Sequence, residues 1–215
     1  MLPTALVVLL AGCAKTPPGV TGPGFHRLIV EMTVRGHINP DYFYYFAIDG
    51  SGSPTTGPLP VVAPPWGNGW SAGSVTHYVL YNISQPGGYG VYRIDDPKTL
   101  LASTYLGRPL DAQDPTGGST LRFTVDLDVL FPPGGPQPDR LNLNFINTDI
   151  VPRDPNYRGR KLVDALGVSG NDYITIPIRT NRVFTSADTG IPEPAGDVAD
   201  PDLDIVSWSI EVRNG

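Results

Sequence analysis

Residues that cover the wet faces of helices are scarce in this 215-residue chain. Glutamate occurs only at Glu31, Glu193 and Glu211, and lysine only at Lys15, Lys98 and Lys161. That scarcity argues against a helical protein. Cysteine occurs once, at Cys13, so an internal disulfide is excluded. The net charge is -6 and no basic block is present, which argues against a nucleic-acid partner. Histidine is limited to His26, His37 and His77, which restricts imidazole chemistry to those positions. In contrast, glycine (25) and proline (24) are abundant, and with the aspartates they mark a chain rich in turns. The length suits one domain, or one domain plus a tail.

The apolar run Ala5 to Leu10 is too short to cross a bilayer as a mature helix and suits the core of an export signal. Leu10-Ala11-Gly12-Cys13 follows it and resembles the lipobox of bacterial lipoproteins. The resemblance implies removal of residues 1–12, acylation of Cys13, and a protein anchored to a membrane without spanning it. Ala14 follows the cysteine where an aspartate would retain a lipoprotein at the inner membrane, so the implied destination is the outer membrane or cell surface. Residues 14–24, AKTPPGVTGPG, read as a flexible tether, which leaves 25–215 as the folded domain.

From Phe25 onward the apolar residues recur with period two. Leu28, Val30, Met32 and Val34 alternate with polar neighbours, as do Val206, Trp208, Ile210 and Val212. Leu121, Phe123, Val125, Leu127 and Val129 predict one continuous strand. Further strands are expected over 42–48, 75–83, 89–94, 100–106, 141–147 and 173–179. YFYYFAI (42–48) is apolar on both faces, which places it in the centre of a sheet or under a loop. One short helix is predicted over 157–166, ended by Gly167. The pattern defines an all-β fold, an antiparallel β-sandwich with long Gly/Pro loops. The loop 185–203 is long enough to carry function or to be a solvated excursion.

Gly69-Trp70-Ser71-Ala72-Gly73 spells G-x-S-x-G, the nucleophile elbow of α/β-hydrolases. The elbow needs a strand before it and a helix after it. Here prolines and glycines precede Ser71, and SVTHYVLYNI, a strand-forming run, begins at Ser74's doorstep. His77 is the one histidine after Ser71 and lies within that run, so the hydrolase order of Ser, acid and His fails. The match is therefore read as coincidental, and the module as non-catalytic. Trp66 and Trp70, with Asn68 between them and Tyr78 beyond, sit on a loop entering a strand. Two roles stand open for the indoles. They can fold back to cap the sandwich, or present flat faces to the apolar C–H faces of sugar rings.

Carboxylates occur at turns and in pairs: Asp49, Asp126 with Asp128, and Asp202 with Asp204. Such oxygens can hold a structural Ca²⁺, or can cap turns and wet a strand face. No other cofactor is indicated. The turn Asp49-Gly50-Ser51-Gly52-Ser53-Pro54-Thr55-Thr56-Gly57, the strand LNLNFIN and the alternating strands resemble DOMON-type domains and family 9 carbohydrate-binding modules. The resemblance implies a β-sandwich over most of 25–213 that binds carbohydrate. The turn departs from its pattern in carrying Ser51 and Ser53 at acidic positions. Some DOMON-type domains hold haem between Met and His, but Met32 falls on the core face of its strand. The expectation is a lipid-anchored envelope module that binds polysaccharide or cell-wall glycan through Trp66, Asn68, Trp70 and Tyr78. The alternative is a structural subunit of a surface layer, fibre or envelope complex, self-associating or joining an envelope protein by edge-strand or tail pairing.

Overall fold

The computed structural model describes residues 25–215. The signal-like segment, Cys13 and the tether lie outside the described residues. The first half of the chain supplies β1 (His26–Val34), β2 (Phe43–Asp49), β3 (Pro58–Pro60), β4 (Ser71–Gly73), β5 (His77–Tyr81), β6 (Tyr89–Ile94) and β7 (Ser103–Gly107). The second half supplies β8 (Asp111–Ala112), β9 (Thr120–Asp126), the single-turn helix α1 (Leu127–Leu130), β10 (Arg140–Thr148), β11 (Val163–Ala165), β12 (Ile174–Pro177), β13 (Arg182–Thr185) and β14 (Ile205–Asn214).

These strands form two main antiparallel sheets. The first runs β13-β14-β1-β9-β8, and the second runs β11-β10-β2-β5-β6-β7 with β12 also paired to β10. β3 and β4 make a separate small ribbon. The pleat sends alternate side chains to opposite faces. Leu28, Val30 and Met32 of β1 therefore share one face and meet Tyr44, Phe46 and Ile48 of β2 and Leu141, Leu143 and Phe145 of β10 in one buried cluster. Trp208 joins the same core. The all-β sandwich expected from the alternation is the fold observed.

β2 lies between β10 and β5, and its other face is covered as well. Tyr45 and Ala47 belong to a second buried cluster with Trp70, Tyr78 and Leu100. Both conditions read from YFYYFAI are thus met, since the strand is central and also roofed by loops. The roof is pinned by asparagines on the outer face of β10. Asn142 Nδ2 donates to Ser53 O at 2.8 Å and Thr56 O at 2.7 Å, and Asn144 Nδ2 donates to Pro58 O and Asp172 O, both at 2.9 Å. A buried amide without such partners would cost about 1–3 kcal/mol, so these contacts fix the loop over the sheet.

Two expectations are corrected. No helix forms over 157–166, where the chain runs as a loop and then as β11. Gly159 weakens a helix there, β11 pairs with the end of β10 through Ile146 and Ala165, and Lys161 is drawn to Val61 O and Gly69 O. The strand predicted to run through Val129 stops at Asp126. That side chain accepts from Asp128 N at 2.9 Å and caps α1, leaving Val129 exposed.

Candidate functional site

The outer face of the second sheet is aromatic by register. Ala47 on β2 lies beside Tyr78 on β5, Tyr78 beside Tyr92 on β6, and Tyr92 beside Tyr105 on β7. Tyr78 and Tyr92 stack at 4.8 Å with their planes 11° apart, and Tyr105 tilts against Tyr92 at 5.4 Å. Trp70 descends on this row from the loop above. Its ring lies 4.0 Å from that of Tyr45 with an interplanar angle of 6°, and 5.0 Å from Tyr78. Each such pair contributes about 0.5–1.5 kcal/mol beyond the area it buries, so the cluster holds itself in place. Gly90 makes room for it, because a Cβ there would stand 2.6 Å from the Tyr92 ring.

A cleft of about 690 Å³ opens beside this cluster. Its lining includes the aromatic residues Phe43, Tyr45, Trp70, Tyr78 and Tyr92. The polar residues Asn68, Gln85, Asp95, Ser103 and Arg153 line it as well. Tyr92 donates to Gln85 Oε1, and the hydroxyls of Tyr78 and Ser103 lie 3.0 Å apart. Burial pushes the Tyr45, Tyr78 and Tyr92 phenols above the ordinary value, so they stay neutral donors at physiological pH.

Of the residues expected to bind ligand, Trp70, Tyr78 and Asn68 line this cleft and Trp66 does not. Trp66 is buried elsewhere, donating from Nε1 to Tyr157 O at 3.0 Å, with its ring edge-on to Tyr157 at 5.9 Å. It folds back and fastens the loop. Asn68 is occupied with its own loop, accepting from Trp70 N at 3.0 Å and Ser71 N at 2.9 Å. Gly69 beside it has φ +88°, and a Cβ there would meet Pro152 O at 2.6 Å. The glycine is thus required by both backbone conformation and space. Lys161 closes the loop base through Val61 O and Gly69 O, and burial lowers its pKa to about 8. Tyr45 and Arg153 are not legible as site residues in the sequence, whereas Tyr92 belongs to the strand tyrosines that offer aromatic surface beside the tryptophans. Tyr45 reads only as one member of a strand apolar on both faces, and Arg153 carries no signal.

Ser71 opens β4, and a strand follows it rather than a helix. It is buried, and its Oγ donates to Leu59 O and Ala72 O, both at 3.2 Å. His77 lies elsewhere, its Nδ1 3.1 Å from Thr76 Oγ1 and its ring edge-on to Phe131 at 4.9 Å. The serine hydroxyl is spent on backbone carbonyls, and the strand–turn–helix of a hydrolase elbow is not formed.

The carboxylates read as metal ligands are dispersed. Asp49 is buried and accepts from Ser51 N at 2.9 Å and Ser51 Oγ at 3.0 Å, tightening its own turn. Asp126 caps α1, Asp128 lies 3.0 Å from His26 Nδ1, and Asp202 accepts from His37 N at 2.9 Å. Asp204 alone joins a cluster, with Asp164 and Asp197. Burial, reinforced by the neighbouring carboxylates, raises Asp164 to about 7 and nearby Glu193 to about 8. Asp164 lies in the segment for which the sequence predicts a helix, and Asp197 in a loop without periodic pattern, so neither is legible as a ligand from sequence.

No family model, curated protein or solved structure matches the chain.

Proposed function

We propose that this protein is a non-catalytic, lipid-anchored module of a bacterial envelope that binds a polysaccharide or cell-wall glycan in the aromatic cleft. The observation that carries this reading is the cleft's composition. Trp70, Tyr78 and Tyr92 line it together with the amides of Asn68 and Gln85, the carboxylate of Asp95 and the guanidinium of Arg153. A sugar ring has an apolar C–H face and a polar edge, and needs both kinds of surface at once. The volume falls within the range of about 300–1,000 Å³ usual for ligand sites. Export and anchoring rest on the lipobox resemblance at Cys13.

Isothermal titration calorimetry with a panel of soluble envelope polysaccharides tests the reading. At least one glycan should bind, and Tyr92→Ala and Arg153→Ala should each weaken it about tenfold while the thermal transition stays cooperative. Absence of binding across the panel, or binding indifferent to both substitutions, would overturn it.

A second reading has its own observation. β7 is an edge strand with exposed residues, Tyr105 is 44% exposed, and Leu101 just before it is 68% exposed. Such an edge can accept a strand from a neighbour. In that case light scattering would show concentration-dependent assembly, and a charge placed on β7 (Tyr105→Lys) would abolish it.

A further inference from the structure

We propose that Asp164, Asp197 and Asp204 form a Ca²⁺ site that fastens the 185–203 loop across the two sheets. The three residues come from distant parts of the chain: β11 of the second sheet, the loop itself, and the residue before β14 of the first sheet. Each offers an oxygen, and these oxygens all lie within 4.8 Å of one another. Oxygens bound to one Ca²⁺ at about 2.3–2.6 Å are separated by at most about 5 Å, so one ion can reach all three.

A cluster of acids alone would not specify a cation, but Asp204 adds a second feature. It is fully buried. Its Oδ2 accepts from Arg35 and, at 2.8 Å, from Gly196 N. Its Oδ1 is buried with no hydrogen-bond partner. A buried carboxylate oxygen left without a partner is costlier than a neutral polar atom in the same position. A cation between the carboxylates removes that cost and the mutual repulsion of the three. The single guanidinium of Arg35 cannot balance three negative charges.

Asp164 and Asp197 also face an open pocket of about 180 Å³. It gives an ion a path and leaves space for water ligands. Mg²⁺ suits the site less well, because it usually takes one or two carboxylates within rigid octahedral geometry. The binding would be structural. It would hold the long loop to β11 and to the start of β14, independently of the aromatic cleft.

The test uses the protein after EDTA treatment and removal of the chelator, with CaCl₂ as the probe. Calorimetry should show one site. Millimolar Ca²⁺ should raise the melting temperature by several degrees and slow proteolysis within 185–203 at least tenfold, with Mg²⁺ much less effective. Asp197 is exposed, so Asp197→Asn should fold, and it should lose both effects. Asp128→Asn, outside the cluster, should retain them. Asp164→Asn should behave as Asp197→Asn does if it folds. Absence of any Ca²⁺ response in the parent protein, or an undiminished response in Asp197→Asn, would overturn the proposal. Absence would mean that shared protons, not a metal, hold the carboxyl groups together.

Discussion

His77 shows what burial does to one side chain. Its imidazole is edge-on to Phe131, and its Nε2 is buried without a partner. Burial, aided by the charge of Arg93, lowers its pKa from 6.5 to about 4. Above pH 6.5 the residue is neutral in both the folded and the unfolded chain and no proton is exchanged on folding. Between pH 6.5 and about 4 the unfolded chain takes up a proton that the folded chain refuses, so stability is lost as the pH falls through that window. The loss amounts to at most about 3 kcal/mol. Asp164 and Glu193, whose pKa values are raised, act in the opposite sense over an overlapping range. The comparison with a variant therefore isolates the histidine. In urea titrations from pH 7 to pH 4.5, His77→Gln should lose about 2 kcal/mol less than the parent. Parallel pH profiles would contradict the account of this residue.

At the scale of elements, the strands were legible wherever alternation was unbroken. In β1 the buried residues fall on every second position, and in β14 they do so from Trp208 to Val212, whereas a register shift opposite Thr33 and Val34 buries Ile205 in place of the expected Val206. The misreadings share a cause, which is that a side chain's hydrogen bond or a tertiary pairing outranked the local pattern. Asp126 ends β9 by capping α1, although Leu127 and Val129 continue the alternation. Asp126→Ala should cost about 1 kcal/mol in thermal or urea unfolding, the usual worth of a helix cap. A change below 0.3 kcal/mol would show that the short helix is held by packing of Leu127 and Leu130 instead. β11 forms because β10 offers it a free edge, and no local property of YRGRKLVDAL announces that partner. The small ribbon of β3 and β4 was equally hidden, since three-residue strands leave no periodic trace.

At the scale of the whole molecule, the sandwich has a third partial layer. The first sheet and the inner face of the second enclose one core, while loops carrying Trp70 and Leu100 enclose another on the outer face. Exposed ion pairs such as Arg93–Asp95 and Arg179–Asp139 contribute under about 1 kcal/mol each, so burial in these two clusters holds the fold. The aromatic cleft lies where the outer layer is incomplete. Its residues were partly legible: Trp70, Asn68 and Tyr78 stood out on the loop and the strand beside it. Their convergence with Tyr45, Tyr92 and Arg153 depends on inter-strand register, which a single sequence does not encode locally. Trp66 looked equivalent to Trp70 in sequence, and loop geometry separated them.

That separation makes the central claim measurable. All three tryptophans are buried, and of them Trp70 alone lines the cleft. Tryptophan emission should therefore report a glycan through Trp70 alone. Titration of a bound glycan should give a saturable shift in the parent protein and none in Trp70→Phe, whose calorimetric binding should persist in weakened form. A shift of equal size in Trp70→Phe would place the sugar elsewhere and contradict the account.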